Sequence, residues 1–271
     1  MNQVPLSVVV LSKNEEHNLP RCLDSLQWAD EVVVIDDESV DRSVEISLEH
    51  GARVLNHPFV SFAAQRNWAL NEADLRNEWV LMLDADEVAT EPFASEIASK
   101  IETASAECVA FRTCRKTMMD DKWLRYSDGF PVWIMRLVRR GAAEFEDSGH
   151  GEVPVPVVNG EIDTIREPFV HYPFSRGMED WWKRHVSYAG REAKREVRSA
   201  GGESLVGLCS WNASRRRRAA RHLSTLMPAR GTLRFIYQYV LKRGFLDGRA
   251  GYRFCRMMAC YESMITIRKM E

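Results

Sequence analysis

Two aspartates separated by one residue, Asp84 and Asp86, directly follow a short apolar run at residues 79–83. Carboxylates at this spacing can present oxygen ligands to a hard divalent cation, which can in turn hold the phosphates of a nucleotide. A solvated turn is the alternative interpretation, because this spacing is common in loops. The apolar run indicates a buried strand that would deliver both carboxylates to the edge of a sheet, which favours the cation site.

Further polar clusters follow the apolar runs at residues 6–11 and 31–35. Asp36 and Asp37, after the second run, would form a second acidic site. The alternative is a turn or the start of a helix near Arg42, whose N-terminus attracts acidic side chains; both interpretations can hold at once. Arg66 lies in a helix-like stretch and offers a guanidinium group for a diphosphate, or is an ordinary surface arginine. Each of the three apolar runs therefore ends in side chains suited to a charged ligand.

The elements that would position these side chains alternate between strand and helix. Helix-like stretches at residues 18–26, 41–50 and 62–73 separate the strand-like runs, and residues 53–55 indicate one more strand. This alternation predicts an α/β fold with a mostly parallel sheet, whose ligands bind beyond the carboxyl ends of the strands. Residues 107–170, punctuated by glycine and proline, predict short mixed strands and loops.

The net charge of -2 conceals two blocks of opposite charge. Residues 1–175 contain 16 Lys and Arg against 31 Asp and Glu, whereas residues 176–271 contain 21 against 8. An acidic block suits a region that holds cations, and a basic block suits phosphates or an anionic surface. We therefore divide the chain after residue 175. With 45% hydrophobic residues, the chain is also too apolar to be disordered.

Cysteine spacing and apolar stretches exclude several classes of protein. The six cysteines include no CxxC pair and no zinc-like spacing, which predicts reduced cysteines in a cytoplasmic protein. No stretch reaches the roughly 18 uninterrupted apolar residues that a membrane-spanning helix requires. The run at residues 6–11 is too short for a signal peptide and is expected to be a strand.

The basic region contains apolar stretches flanked by cations. Residues 233–241 are strongly apolar, and apolar side chains recur at helical spacing over residues 254–265. Such helices could lie on an anionic membrane surface or line a groove for a lipid-linked acceptor; the alternative is that the stripe is core. The arginines at 215–218 predict a solvated basic face or a phosphate contact, and Trp181 and Trp182 predict a sugar-stacking surface or core.

Four blocks of this sequence resemble successive blocks of family 2 glycosyltransferases with the GT-A fold. They lie at residues 6–16 (LSVVVLSKNEE), 34–41 (VIDDESVD), 65–67 (QRN) and 81–87 (LMLDADE). The later sequence resembles a bacterial subgroup that includes lipopolysaccharide core glucosyltransferases. Its blocks lie at residues 133–137 (WIMRL), 150–152 (HGE), 171–172 (HY) and 241–251 (LKRGFLDGRAG).

The resemblance implies a Rossmann-like, mostly parallel GT-A sheet with a helical basic extension. The expected catalytic domain spans residues 1–175, with a nucleotide-sugar half at about 1–106 and an acceptor-side half at about 107–175. A helical basic region follows at residues 176–271. Its expected role is contact with a membrane or with the acceptor, and the alternative is that it only packs as core.

The implied activity is the inverting transfer of a sugar from a nucleotide diphosphate sugar. The resemblance assigns donor binding to residues that follow the first strands, to one helical arginine and to the first aspartate of the pair: Ser12, Asn14, Glu15, Asp36, Asp37, Arg66 and Asp84. It assigns a divalent cation, Mg²⁺ or Mn²⁺, and the diphosphate to Asp84 and Asp86. His171 is a further candidate ligand for metal or phosphate, or a packed structural residue.

The catalytic base of such a transfer is expected to be a carboxylate, because the acceptor hydroxyl must lose its proton as it attacks the anomeric carbon. Glu152 is the first candidate and Asp147 the second; a surface acid is the alternative for Glu152. The chain departs from the subgroup at two positions. Glu38 stands where a small residue, often Gly, is usual, and Gly151 separates His150 from Glu152.

These observations predict an enzyme that moves one sugar onto a membrane-associated acceptor, such as a lipopolysaccharide core or another cell-envelope glycan. The absence of a Q-x-x-R-W segment favours a single addition over polymer synthesis. The expected partners are a nucleotide diphosphate sugar, a lipid-linked or glycan acceptor and an anionic membrane surface, for a cytoplasmic protein either free or peripheral on the inner face of the cytoplasmic membrane. The alternatives are transfer to polyprenyl phosphate, a non-catalytic nucleotide-sugar binding protein and a nucleic-acid-binding protein, which the acidic block disfavours.

Overall fold

The structure is a computed structural model that describes residues 3–148, 151–199, 211–212, 216, 227 and 229–271. The chain divides into two compact units. Unit 1 consists of Met1–Trp123 and Phe130–Arg176, and unit 2 of Leu124–Gly129 and Gly177–Glu271.

The first half of unit 1 alternates strands and helices as the sequence predicts. The strands are β1 (Val4–Ser12), β2 (Ala29–Asp36), β3 (Arg53–Asn56) and β4 (Trp79–Asp84). The helices are α1 (Leu19–Asp24), α2 (Ser43–Glu49) and α3 (Phe62–Glu72). β1 runs parallel to both β2 and β4, and β2 runs parallel to β3. The predicted parallel sheet is therefore present.

The apolar run of β1 is continuous because the strand is buried on both faces. Val8 and Val10 belong to one core cluster and Val9 to another, and none of the three is exposed. Successive side chains of a strand point to opposite faces, so helices must cover the sheet on both sides. This is the packing that the α/β pattern predicts.

The second half of unit 1 adds both antiparallel and parallel strands to the same sheet. The remaining elements are β5 (Glu87–Val88), α4 (Glu91–Glu102), β6 (Cys108–Met119), β7 (Lys122–Trp123), β8 (Val132–Arg139), β9 (Ala143–Ser148), β10 (Gly151–Pro156), β11 (Glu161–Thr164) and β12 (Phe169–His171). The strand order is β3-β2-β1-β4-β8-β6-β12-β5; β7 and β11 also pair with β6, and β9 and β10 form a separate hairpin. The prediction of short strands over 107–170 is wrong for the 12-residue β6, which pairs with β8 over residues 110–115.

Unit 2 is helical in its described part. It contains α5 (Gly177–Ser199), α6 (Arg230–Phe235), a π-helical continuation (Ile236–Leu241), a 3-10 turn (Gly244–Asp247) and α7 (Gly248–Arg268). The core interpretation holds for part of the apolar stripe, because Tyr261 and Ile265 of α7 pack with Ala189 and Ala193 of α5. Trp181 is also buried and stacks on His185, at 3.5 Å between ring centroids. Of the arginines at 215–218, only Arg216 lies among the described residues.

The 241–251 block forms a tight turn that holds the segment 124–129. Oδ2 of the buried Asp247 accepts hydrogen bonds from the backbone N–H and the hydroxyl of Ser127, at 2.8 and 2.7 Å. A Cβ atom on Gly251 would lie 2.3 Å from the carbonyl oxygen of Gly244, so only glycine fits there. Among the helices that the structure describes, none combines the length and the apolarity needed to cross a lipid bilayer.

Candidate active site

The carboxyl ends of β1, β2 and β4 lie side by side. Ser12 at the end of β1 pairs with Asp36 of β2, and Leu11 pairs with Asp84 of β4. The three polar clusters that the sequence places after these strands therefore meet at one edge of the sheet, as predicted. Such an edge is where α/β folds bind their ligands.

Asp36 and Asn14 connect the loops that follow β2 and β1. Both carboxylate oxygens of the buried Asp36 accept hydrogen bonds from Ser39, at 2.6 Å from the hydroxyl and 2.8 Å from the backbone N–H. Asn14 has a φ of +53° and accepts a hydrogen bond from the N–H of Val40 at 2.8 Å. Both residues therefore fix the loops that follow β1 and β2, which form the rim of the candidate site.

Three other predicted donor-binding residues lie near the same rim. Asp37 accepts a hydrogen bond from the N–H of Phe59 at 2.9 Å. Glu15 forms an ion pair with Arg176 at 2.9 Å, and burial raises its pKa. The buried hydroxyl of Ser12 makes no hydrogen bond within the part of the chain that the structure describes. A polar group without a partner at this depth is available to a ligand.

Arg66 bridges two of the candidate site residues. Its Nη2 lies 2.5 Å from Oδ1 of Asp84, and its Nε donates to Oε1 of Glu152 at 3.0 Å. The residue has no exposed surface, so the alternative of an ordinary surface arginine is wrong. The next residue, Asn67, exchanges two hydrogen bonds with the backbone of Phe145 in β9, at 2.8 and 2.9 Å. The two residues thus fix the β9–β10 hairpin against the sheet edge.

Arg136 and Glu87 complete a buried network of charges around Asp84. Nη2 of Arg136 lies 2.9 Å from Oδ2 of Asp84 and 3.3 Å from Oε1 of Glu87. Its Nη1 lies 3.9 Å from Oε1 of Glu152. Burial alone would raise the pKa of Asp84, but the charges of Arg136 and Arg66 together outweigh it and hold that pKa well below its usual range. Asp84 therefore remains ionised.

Arg136 and Glu87 are not among the site residues that the sequence predicts. Glu87 is almost fully buried, and burial raises its pKa despite the neighbouring Arg136. Arg136 interrupts the apolar sequence of β8, and Glu87 directly follows the Asp84–Asp86 segment. Charged residues at such positions are rarely buried without a partner, and this was the available signal.

Asp86, the second aspartate of the Asp84–Asp86 segment, lies beside His171 of β12. Oδ1 of Asp86 lies 3.5 Å from Nε2 of His171, and the backbone oxygen of Asp86 accepts a hydrogen bond from the N–H of Tyr172 at 2.9 Å. The buried Nδ1 of His171 has no hydrogen-bond partner among the described residues. Across those residues, no three His, Cys, Asp or Glu side chains form a group that could hold a metal ion.

The two candidate bases lie opposite each other in the β9–β10 hairpin, where Glu152 pairs with Asp147. The Glu152 side chain is 16% exposed and Arg66 holds its Oε1, whereas Asp147 is exposed. Glu152 is thus the carboxylate that the network connects to Asp84, and the alternative of a surface acid does not fit it. His150 lies outside the described residues.

Comparisons with known proteins give several matches. The sequence model of glycosyl transferase family 2 matches residues 7–154. An uncharacterized glycosyltransferase of Rickettsia typhi is 37% identical over 93 residues, which are 34% of this chain and 31% of that protein. The lipopolysaccharide core biosynthesis glycosyltransferase LpsC of Rhizobium meliloti is 27% identical over 149 residues, 53% of this chain and 54% of LpsC. The chain thus spans about a third to a half of the length of these relatives.

A solved structure described as a mycobacterial protein shares the fold, with a TM-score of 0.50, 15% identity and coverage of 72% of this chain and 74% of that one. The fold is the α/β GT-A arrangement that the sequence predicts. The family match covers more than half of the chain and runs from β1 through Glu152. On that match, the chain belongs to glycosyl transferase family 2.

Proposed function

We propose that this chain transfers a single sugar from a nucleotide diphosphate sugar to an acceptor of the cell envelope, with inversion at the anomeric carbon. The observation that carries the proposal is the ion-paired network that joins Asp84, at the donor edge of the sheet, to Glu152 on the β9–β10 hairpin through Arg66. In this arrangement the buried guanidinium group of Arg66 contacts both Asp84, a predicted donor-binding residue, and Glu152, a candidate base.

The donor would bind along the edge formed by β1, β2 and β4. Ser12, Asn14, Glu15, Asp36 and Asp37 keep their predicted role in holding the base and ribose. Two facts support it: Ser12 has an unpartnered buried hydroxyl, and the pairing of Ser12 with Asp36 brings both loops to one place. Arg66 would serve the diphosphate through its buried Nη1, which has no partner among the described residues.

The residues present fit a divalent cation that shares its coordination with the donor. Mg²⁺ is usually bound by one or two protein carboxylates and by phosphate oxygens of the substrate, and a neutral imidazole is a common nitrogen ligand of metal ions in proteins. Asp86 and His171, 3.5 Å apart, could supply one oxygen and one nitrogen. Asp84 is the third predicted ligand, but guanidinium groups contact both of its carboxylate oxygens, so we assign the cation first to Asp86 and His171.

When bound, the cation would offset the negative charge that develops on the leaving nucleotide diphosphate. Glu152 would take the proton of the acceptor hydroxyl as its oxygen bonds to the anomeric carbon and the bond from that carbon to the diphosphate breaks. Arg66 holds Oε1 of Glu152, and Oε2 makes no hydrogen bond or ion pair with the described residues. Oε2 is therefore the atom suited to receive the proton. Asp147 remains the second candidate.

The acceptor side of the proposal rests on the likeness to LpsC, whose name places it in lipopolysaccharide core biosynthesis. We infer a lipopolysaccharide core or a related lipid-linked glycan as acceptor. The division of labour is part of the same proposal, with catalysis in residues 1–175 and acceptor or membrane contact in residues 176–271.

A panel of nucleotide sugars tests the proposal directly. Each sugar is added to the purified chain with Mg²⁺, with Mn²⁺ or with a chelator, and the melting temperature is recorded. A selective donor should raise the melting temperature by mass action, and more so with the metal. The same mixtures are assayed for slow release of the nucleoside diphosphate, which a non-catalytic binding protein would not give. A chain that responds to no donor contradicts the proposal.

A further inference from the structure

Unit 2 exposes several large apolar side chains that lie close together in the sequence. Between the π-helical turn and the start of α7, six apolar or aromatic side chains are each at least 44% exposed: Ile236, Tyr237, Val240, Leu241, Phe245 and Leu246. We call them the 236–246 surface. Leu241 is the most exposed of the six, at 69%. Clusters of this kind on a folded protein mark a surface that another molecule covers.

The charges around the 236–246 surface have one sign. Residues 229–261 contain seven Lys and Arg but one acid, Asp247. That acid is only 4% exposed, and its carboxylate is engaged by Ser127. Lys242, Arg243 and Arg249 are exposed within or next to the segment. Arg230 and Arg234 pair with Glu262 of α7, so the cations that matter here are Lys242, Arg243 and Arg249, which form no ion pair with the described residues.

Exposed apolar side chains beside cations indicate which kind of molecule covers the 236–246 surface. Two copies of the surface would bring cations against cations, which is unfavourable in an interface between like molecules. A nucleic acid would neutralise the cations but would leave the aliphatic side chains of Val240 and Leu241 in water. An anionic lipid bilayer satisfies both groups, because aliphatic side chains enter the boundary with the acyl chains while Lys and Arg meet the headgroups. Tyr237 suits the same depth, since aromatic rings with a polar end favour that interface.

We propose that the 236–246 surface docks the protein on the surface of an anionic bilayer. The proposal assigns a specific surface to the membrane contact proposed above for residues 176–271, and that surface would bind lipid whether or not the donor edge is functional. The docking is peripheral and uses exposed side chains of a folded segment, with Lys242 and Arg249 supplying the electrostatic part.

The test is co-sedimentation of the full-length protein with vesicles. Vesicles that contain phosphatidylglycerol should bind the chain, and vesicles of phosphatidylcholine alone should bind it far more weakly. Binding should also fall as salt rises, because exposed charges are screened. Two double variants separate the contributions: Leu241→Ser with Phe245→Ser removes apolar contact, and Lys242→Glu with Arg249→Glu removes charge. All four side chains are exposed, so circular dichroism and melting temperature should stay unchanged.

The apolar pair should weaken binding at least about tenfold, and the charge pair at least about twentyfold, since each basic residue near an anionic surface contributes roughly fivefold. The matched controls are Leu48→Ser in α2, 59% exposed, and Lys183→Glu in α5, 72% exposed. Both should bind within twofold of the parent. Absence of binding to the anionic vesicles, or equal losses in controls and surface variants, overturns the proposal. So does a dimer in light scattering that the apolar pair converts to a monomer.

Discussion

The guanidinium group of Arg136 donates a hydrogen bond to Oδ2 of Asp84 at 2.9 Å, across 52 residues of sequence. The contact links β8 to the end of β4, which are antiparallel neighbours in the sheet. Arg136 is buried and also contacts Glu87, so three charged groups share one volume with little water. Such a cluster is stable only while its charges balance, because an unpaired buried charge is costly. Arg136 is therefore a positioning residue for the acids at the sheet edge.

Two substitutions of Arg136 should distinguish the effect of its charge from the effect of its hydrogen-bonding geometry. Arg136→Ala leaves the buried acids without this cation and should lower the free energy of unfolding by about 3–5 kcal/mol. Arg136→Lys keeps the charge but loses the planar fork, so it should fold with a smaller loss of stability and a kcat at least about tenfold lower. Arg112→Lys in β6, which is exposed, is the matched control. Chemical denaturation and steady-state kinetics with the preferred donor measure both effects. Parent-like kcat in Arg136→Lys would show that the contact does not position the site.

The sequence predicts the part of the site that lies at strand ends. β1, β2 and β4 are buried on both faces, so their apolar runs are continuous and their polar carboxyl ends stand out. Parallel strands bring those ends together, which places Ser12, Asp36 and Asp84 without further information.

The rest of the site could not be predicted from local pattern. Arg136 reaches Asp84 through the antiparallel pairing of β8 with β4, and no period in the sequence encodes that register. Glu152 reaches Arg66 because Asn67 fixes the hairpin through the backbone of Phe145. In unit 2, Asp247 holds Ser127 across 120 residues. Each contact joins residues that are distant in the chain, which sequence patterning does not record.

Asp86→Asn should remove the metal-dependent part of donor stabilisation. The substitution keeps the size of the side chain but replaces a carboxylate with a neutral amide, a far weaker ligand for a hard cation. We expect the melting temperature to rise equally with and without Mg²⁺ or Mn²⁺ in the presence of the donor. Asp121→Asn, exposed in the turn between β6 and β7, should keep the metal-dependent increment of the parent. A full increment in Asp86→Asn would refute the ligand assignment.

Glu152→Gln should lower kcat by about 10²- to 10⁴-fold while the donor still binds, because the amide still accepts the hydrogen bond from Arg66 but cannot take a proton. Asp147→Asn, on the opposing strand of the hairpin, should retain most of the rate. The reverse pattern would assign the base to Asp147. Near-parent rates in both variants would favour transfer to polyprenyl phosphate, an acceptor that needs little help from a base. Single-turnover rates and donor titrations distinguish these outcomes.

Glu38→Gly should maintain or increase stability. Glu38 has a φ of +52°, in the left-handed region that favours glycine. The left-handed conformation destabilises a folded protein by roughly 1–2 kcal/mol at an L-residue, and replacement by glycine removes this strain. Glycine also makes the unfolded chain more flexible, which lowers the free energy of unfolding by up to about 1 kcal/mol. The free energy of unfolding should therefore stay level or rise by up to about 1 kcal/mol. Glu38→Val, which is β-branched, should lower it. Denaturant titration compares the two variants, and a Glu38→Gly protein less stable than Glu38→Val would contradict the argument.

Glu31 should contribute stability that disappears in acid. Its buried carboxylate accepts hydrogen bonds from the hydroxyl of Ser7 at 2.6 Å and from Arg53 at 2.9 Å. Burial alone would raise the pKa of Glu31, but these contacts and the N–H of Arg76 together lower it from its ordinary value of 4.5. The folded state therefore holds fewer protons than the unfolded state, and the contribution is complete above pH 4.5 and is lost as the pH falls below it.

Glu31→Gln tests this directly. It should lower the free energy of unfolding at pH 7 by about 1–3 kcal/mol, since the donors around it lose a charged acceptor. The difference between parent and variant should shrink as the pH falls through 4 towards 3, because the parent carboxylate becomes protonated. Glu72→Gln, exposed at the end of α3, should show little difference at any pH. Urea titrations at several pH values measure these differences; a gap between Glu31→Gln and parent that stays constant down to pH 3 would mean that the charge of Glu31 does not stabilise the fold.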